Sequence, residues 1–272
     1  MVVEENMQPG SSVELTADYM ARFGGIGRLY GLDGLRRLAG AHVCVVGVGG
    51  VGSWTAEALA RSGVGRLTLI DLDDICVNNT NRQLHTMEDT VGRQKIDVMA
   101  ERARSINPEV EVEVIHDFFT SETLEEILAP GFDYLVDAID HLGNKCLLIA
   151  ACKERGIPVV VVGGAGGKQD PSMLRVDDLS QSGSDGLLRK LRRKLRKDHG
   201  FPSEQAWGIP CVFSREQAVF PSPDGGVCHT PPEGSNLKLD CASGFGTATF
   251  VTGTAGFMAA AIVVNALAGA SS

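Results

Sequence analysis

Alternating strand-like runs and helical patterns over residues 42–162 predict an α/β fold, a doubly wound and mostly parallel sheet with a loop-rich C-terminal extension. Three observations carry this. The runs His42–Val46, Leu67–Ile70 and Pro158–Val162 are apolar on both faces, as strands covered on both sides of a sheet must be. Helical patterns lie between the strands, giving the repeating strand–helix rhythm of parallel crossovers. A glycine-rich turn, Gly47-Val48-Gly49-Gly50-Val51-Gly52-Ser53, joins the first strand to the first crossover helix.

The elements follow in order. Residues 1–20 read as a flexible tail that runs into a helical pattern over Asp18–Leu38. Strand His42–Gly47 leads to helix Gly50–Ser62, and strand Arg66–Asp71 leads to a polar loop, 72–91. Helix Gly92–Ile106 stops at Asn107-Pro108, a strong terminator. Strand Glu111–His116 alternates, helix Ser121–Leu128 ends at Pro130-Gly131, and strand Tyr134–Ala138 carries Asp137 and Asp140 at its C-terminal end. Helix Leu142–Arg155 closes at Gly156 before the strand Pro158–Val162. Beyond Gly163 an exposed strand at Met173–Val176 precedes a basic helix over 187–197. Trp207–Cys241 reads as loop with irregular strands, and an apolar helix covers 248–268. One domain spans 21–272, with a nucleotide-binding half at 21–168 and a substrate and dimer half at 169–272.

At 272 residues the chain can bury one substantial core. Its 43% hydrophobic content is that of a globular protein, and a net charge of −9 argues against a protein that coats nucleic acid over its whole surface. Seven cysteines without a CxxC pair, and an acidic start without a secretory pattern, favour a reducing cytoplasmic setting. Cys44, Cys146 and Cys152 read as buried thiols. The apolar stretch Phe250–Gly269 keeps membrane association open, although Gly253, Gly256 and Asn265 suit a close-packed core helix better.

Gly47, Gly49, Gly50 and Gly52 sit where strand and helix flank them, so backbone N–H groups and a helix N-terminus face a phosphate. Asp71 ends the second strand, where a carboxylate can accept both ribose hydroxyls. Asp73 and Asp74 beside it read as turn formers, with Asp73 kept in the nucleotide set. Asn79, Arg82 and Lys95 follow, and two cations with an amide suit a triphosphate better than a nicotinamide. Arg82 can grip an oxygen pair while Lys95 supplies a point charge. Asp140 either holds Mg²⁺ on the phosphates or caps the helix at 142. Gly163-Gly164-Ala165-Gly166-Gly167-Lys168 fails the P-loop pattern, because Val162 occupies its first glycine position and Gln169 replaces Ser/Thr. It reads as a backbone turn near the site.

Arg189, Lys190, Arg192, Arg193, Lys194, Arg196 and Lys197 surround Leu188, Leu191 and Leu195 at helical spacing. A solvated face, a membrane-surface helix and an RNA-phosphate footprint compete here.

Together GVGGVGS, DLDD, NNTNRQ and VGRQK resemble the E1-like adenylating superfamily, which activates carboxylates with ATP on a Rossmann-like sheet. The resemblance implies ATP binding by the Gly47–Gly52 turn, Asp71, Asn79, Arg82, Lys95 and Asp140. It implies a homodimer whose partner subunit sends an arginine into the site, with Arg22 and Arg28 both eligible. The second half is similar to one branch: the Gly164–Lys168 turn before Asp170-Pro171, the Leu/Arg/Lys helix, Cys211-Val212-Phe213-Ser214 and Asp240-Cys241-Ala242-Ser243-Gly244-Phe245-Gly246. This set resembles the tRNA threonylcarbamoyladenosine dehydratases. It implies ATP-dependent cyclisation of threonylcarbamoyladenosine next to the anticodon, with Arg82, Lys95 and Asp140 catalytic and the basic helix on tRNA. Cys241 is either a reactive or a structural thiol, and a desulfurase-type sulfur-transfer partner stays open. The rival reading is adenylation of the C-terminus of a ubiquitin-like or sulfur-carrier protein. The zinc-binding CxxC pairs usual in sulfur-carrier activators are missing from this sequence.

Overall fold

The structure is a computed structural model that describes residues 13–222, 224–230 and 246–269. Thr16 opens the first helix, its hydroxyl accepting from the Tyr19 amide at 3.0 Å. Helix α1 (Ala17–Gly40) runs from there and is broken at Gly31. Helix α1 therefore begins inside the stretch read as tail, because the Thr16 side chain caps it; residues 1–12 of that stretch lie outside the described residues.

There follow β1 (His42–Val46), α2 (Gly52–Arg61), β2 (Arg66–Ile70), α3 (Lys95–Ile106), β3 (Glu111–Ile115), α4 (Leu124–Leu128), β4 (Tyr134–Asp137), α5 (Leu142–Arg155) and β5 (Val159–Val162). The second half adds β6 (Leu174–Asp178), α6 (Gly186–His199), β7 (Pro210–Ser214), the small hairpin β8 (Phe220–Pro221) and β9 (Val227–Cys228), and α7 (Thr249–Ala268). Helices α2 and α3 start two and three residues later than the patterns suggested, because those residues complete the turns before them.

Strand order in the seven-stranded sheet is β3-β2-β1-β4-β5-β7-β6. All neighbours are parallel except β6, which runs antiparallel to β7 at the edge. Val46 registers with both Ile70 and Asp137, so β1, β2 and β4 end level and their following residues emerge side by side. Successive strands are added outward in opposite directions from the boundary between β1 and β4, and ligands of open α/β sheets bind in the crevice at that point.

One sheet face packs on α2, α3 and α7 through Leu59, Ile96, Met99 and Val263. The other packs on α4, α5 and α6 through Leu128, Leu148, Leu191 and Trp207. Within 207–241, where irregular strands were expected, Pro210–Ser214 is a regular strand inside the sheet. Pro210 is tolerated there as the first strand residue.

Helix α7 packs one side against α2 and α1, while Phe250 and Phe257 leave apolar surface exposed on it. Thr55 Oγ1 donates to the Gly256 carbonyl at 3.1 Å, and the Trp54 and Phe257 rings meet edge-on at 5.9 Å. Its Asn265 accepts from the Tyr30 hydroxyl at 2.7 Å, and Arg37 donates to the carbonyls of Leu267 and Ala268 at the helix C-terminus. Length and composition alone would let α7 cross a membrane, yet half of its most apolar stretch is buried within the protein.

Candidate nucleotide site

A pocket of about 1190 Å³ opens at the C-terminal ends of β1, β2, β4 and β5. Gly47, Gly49, Gly50, Asp71, Asp73, Asn79, Arg82, Lys95 and Asp140 all line it, although they come from separate strand ends and loops. Gly163, Gly164, Ala165 and Gly166 line it too, so the turn that failed the P-loop pattern is part of the site wall.

The glycine turn is fixed from both sides. Gly47 N donates to the Ile70 carbonyl at 2.9 Å, and Val48 N donates to Asp71 Oδ2 at 2.7 Å. Asp71 Oδ1 also accepts from Asp73 N at 2.9 Å. Asp71 therefore holds the turn as well as facing the pocket. Gly52 does not line the pocket: it starts α2, where a Cβ would stand 1.8 Å from the Gly47 carbonyl oxygen. Close backbone approach is thus a reason for glycine at this position that holds without any ligand.

Asn79 is buried, and its Oδ1 accepts from Cys76 N at 3.0 Å, bracing the loop that carries Arg82. Arg82 Nη1 donates to the Asn78 carbonyl and to Asn81 Oδ1, each at 2.9 Å, which aims the guanidinium along the pocket wall. Lys95, also buried, places its ammonium 2.6 Å from Asp73 Oδ2 and 3.9 Å from Asp71 Oδ1. Asp73 is thus more than a turn former, since it shares the Lys95 charge. Asp140 is exposed at the pocket rim, and the helix cap that was one of its two readings is supplied by His141, whose ring accepts from Asn144 N at 3.3 Å. A carboxylate free of protein partners among the described residues, beside a phosphate-sized site, is a hard-oxygen donor of the kind Mg²⁺ takes.

A family model described as the ThiF family matches residues 25–271. The chain belongs to the ThiF family. Among its relatives, tRNA threonylcarbamoyladenosine dehydratase of Escherichia coli (strain K12) is 50% identical over 251 residues, covering 91% of this chain and 94% of that protein. The solved structure named TcdA (CsdL) superposes with a TM-score of 0.87 at 47% identity, covering 94% of this chain and 97% of the other. The E. coli dehydratase TcdA in complex with ATP matches with a TM-score of 0.83 at 45% identity and the same coverage. The mostly parallel sheet is that of ThiF-family structures.

Residues that this ThiF-family chain adds to the pocket, and that the sequence reading missed, include Gln83, Asp117, Phe118, Asn144, Leu187 and Thr252. Gln83 had a usable signal as the last residue of the NNTNRQ motif, and Asn144 as a polar residue in the first turn of α5. Arg22 and Arg28 are outside their own chain's pocket, with Arg22 Nε paired to Asp18 at 2.9 Å. Cys241 lies outside the described residues. Cys146 and Cys152 are buried, and burial pushes their thiols up to about 11 and about 12.

The basic helix divides. Leu188, Leu191 and Leu195 are fully buried against α5 and its neighbours. Arg192 turns inward, donating to the Ser182 carbonyl and hydroxyl, and the Arg196 guanidinium stands 5.4 Å over the Trp207 ring. Both of these cations, grouped in the sequence with the tRNA-facing set, pack on the protein and help to hold α6 in place. Arg189, Lys190, Arg193 and Lys197 stay on the outer side of the helix, and Lys194 pairs with Asp198 at 2.7 Å.

His85 Nε2 lies 2.8 Å from the Val48 carbonyl of the glycine turn, and burial lowers the pKa of the ring. Burial lowers His42 on β1 as well. Both rings then bind a proton more readily in the unfolded chain, so the stability they contribute is present above the ordinary value of 6.5 and is lost as pH falls below it. Tm should fall as pH drops below about 6.5, and His85→Gln should flatten that fall. An unchanged slope in the variant would assign the effect to other groups.

Proposed function

We infer that this chain carries out ATP-dependent dehydration of N6-threonylcarbamoyladenosine next to the tRNA anticodon, by carboxylate adenylation followed by intramolecular cyclisation. The observation that carries the reading is one pocket combining the Gly47–Gly50 turn, Arg82, Lys95 and Asp140, in a chain half identical to a named dehydratase. The threonyl carboxylate attacks the ATP α-phosphorus and pyrophosphate leaves. A neighbouring atom of the same side arm then attacks the acyl carbon, AMP leaves, and the arm has lost one water in total. Since both reacting groups belong to one nucleoside, proximity supplies much of the rate and no enzyme nucleophile is required.

The residues divide the remaining work. Amides of the glycine turn and the N-terminus of α2 face the phosphates, Asp71 faces the ribose, and Arg82 and Lys95 offset charge growing on phosphate oxygens. Mg²⁺, held through Asp140, would neutralise the triphosphate when bound. Arg22 or Arg28 of one copy completes the other's pocket in a homodimer, consistent with both lying outside their own. The outer cations of α6 carry the tRNA, and Leu187 at the start of that helix lines the pocket itself. The reaction belongs in the cytoplasm, where tRNA is.

Purified protein should be incubated with ATP, Mg²⁺ and tRNA bearing threonylcarbamoyladenosine, and the digested nucleosides weighed. Loss of one water from that nucleoside, only with ATP, is the expected result. No mass change, with pyrophosphate exchange on a carrier protein's C-terminus instead, would replace the substrate while keeping the adenylation site.

Charge reversal of Lys190, Arg193 and Lys197 together should weaken tRNA binding by roughly 10- to 100-fold at moderate salt and make its salt dependence shallower. Unchanged affinity would return this face to plain solvation. Arg192→Glu should instead lower Tm, since its guanidinium holds Ser182.

A further inference from the structure

Asp137 and Lys145 form an ion pair of 3.0 Å in which both side chains are fully buried. Neither lines the pocket. Such a pair is weak evidence for stability, because desolvating two charges consumes most of their attraction. Its contacts point elsewhere. Asp137 Oδ1 accepts from Ile139 N at 3.1 Å. Lys145 Nζ donates to the Ile139 carbonyl at 3.0 Å and to the Asp137 carbonyl at 3.4 Å. The two charges therefore hold one residue by both of its peptide groups, and that residue directly precedes Asp140.

The held turn also meets the glycine turn. Gly47 has φ 87°, and a Cβ on it would stand 2.9 Å from the Ala138 carbonyl oxygen and 3.3 Å from Ile139 N. Ala138 N donates to the Val46 carbonyl at 3.0 Å, and Lys145 N to the His141 carbonyl at 3.0 Å. The β4–α5 turn is thus tied at Ala138, Ile139 and His141, while Asp140 between them is exposed to the pocket. Burial pushes the Asp137 carboxyl up, and the Lys145 ammonium and the Ile139 amide oppose that push.

We propose that Asp137 and Lys145 are a positioning pair that clamps Ile139 and so sets the Asp140 carboxylate against the glycine turn for the metal–nucleotide complex. Neither residue touches substrate; both act through the turn. The proposal rests on the metal-holding role given to Asp140 above. Partners one step behind a metal ligand commonly change metal affinity when removed, without being ligands themselves.

The test measures ATP binding by calorimetry across a Mg²⁺ titration, together with Tm and amide hydrogen exchange at Ile139 and Asp140. Lys145→Met alone leaves Asp137 charged and unpaired and can fail to fold. The decisive protein is therefore the double variant Asp137→Leu with Lys145→Met, which removes both charges and the acceptor that holds the Ile139 amide. It should fold with Tm close to the parent, exchange the Ile139 amide faster, and need roughly 10- to 100-fold more Mg²⁺ for half-maximal ATP binding. Lys145→Arg, which keeps the cation, should retain most of the parent's Mg²⁺ affinity. A folded double variant with the parent's Mg²⁺ midpoint and amide exchange overturns the proposal, as does a lowered Tm with both site readouts unchanged. Asp140→Asn separates the two readings. If it leaves the Mg²⁺ midpoint unmoved, the metal role of Asp140 fails, and the clamp is judged by amide exchange at Ile139 alone.

Discussion

Arg82→Ala is expected to lower adenylation by about 10²- to 10³-fold while Tm stays close to that of the parent. What the fold takes from residue 82 is its backbone: its carbonyl accepts from Trp54 Nε1 at 3.1 Å and from Thr252 Oγ1 at 3.4 Å. Alanine keeps both bonds. The guanidinium instead spends Nη1 on the Asn78 carbonyl and the Asn81 amide oxygen, both in its own loop, and lies along the pocket. Arg82→Lys should be nearly as inactive, because an ammonium lacks the planar fork that grips two phosphate oxygens. Pyrophosphate release and thermal unfolding measured on the same samples decide it. Turnover at the parental rate would remove Arg82 from the site. Lys95→Ala is less clean, since it also strips Asp73 of the ammonium 2.6 Å away.

Gly52→Ala should abolish nucleotide binding and cost about 3 kcal/mol of stability, the upper end of overpacking effects. The added Cβ would stand 1.8 Å from the Gly47 carbonyl oxygen and 2.9 Å from the Gly47 carbonyl carbon, so backbone must move. Movement there displaces the turn that Asp71 holds through Val48 N, and with it the Gly49 and Gly50 edge of the pocket. Urea unfolding and ATP calorimetry on the variant test both halves. Parental ATP affinity in a folded Gly52→Ala protein would show that the turn absorbs the methyl group without losing its function.

The two substitutions also separate what local sequence encodes from what it does not. The glycine spacing, the strand-ending Asp71 and the terminators at Asn107-Pro108 and Gly156 act over a few residues, so their meaning survives without the fold. Position 140 was ambiguous for the converse reason. An aspartate before a helix reads equally as cap or ligand, and only the tertiary structure gives the cap to the side chain of His141. The basic helix was legible as amphipathic, yet seven cations looked alike until Ser182 and Trp207 claimed Arg192 and Arg196.

By itself the sequence determined the parallel α/β rhythm and the glycine-rich turn, and it singled out Asp71, Asn79, Arg82 and Lys95 as candidates, because periodicity, turn chemistry and short motifs are local. The tertiary structure alone decided that β7 inserts beside β5, that α7 packs on α1 and α2, and that Asp137 and Lys145 hold Ile139 between them. Those outcomes depend on which distant groups share a buried space, and burial converts a neutral-looking proline, an apolar helix or a lysine into a part with a fixed partner.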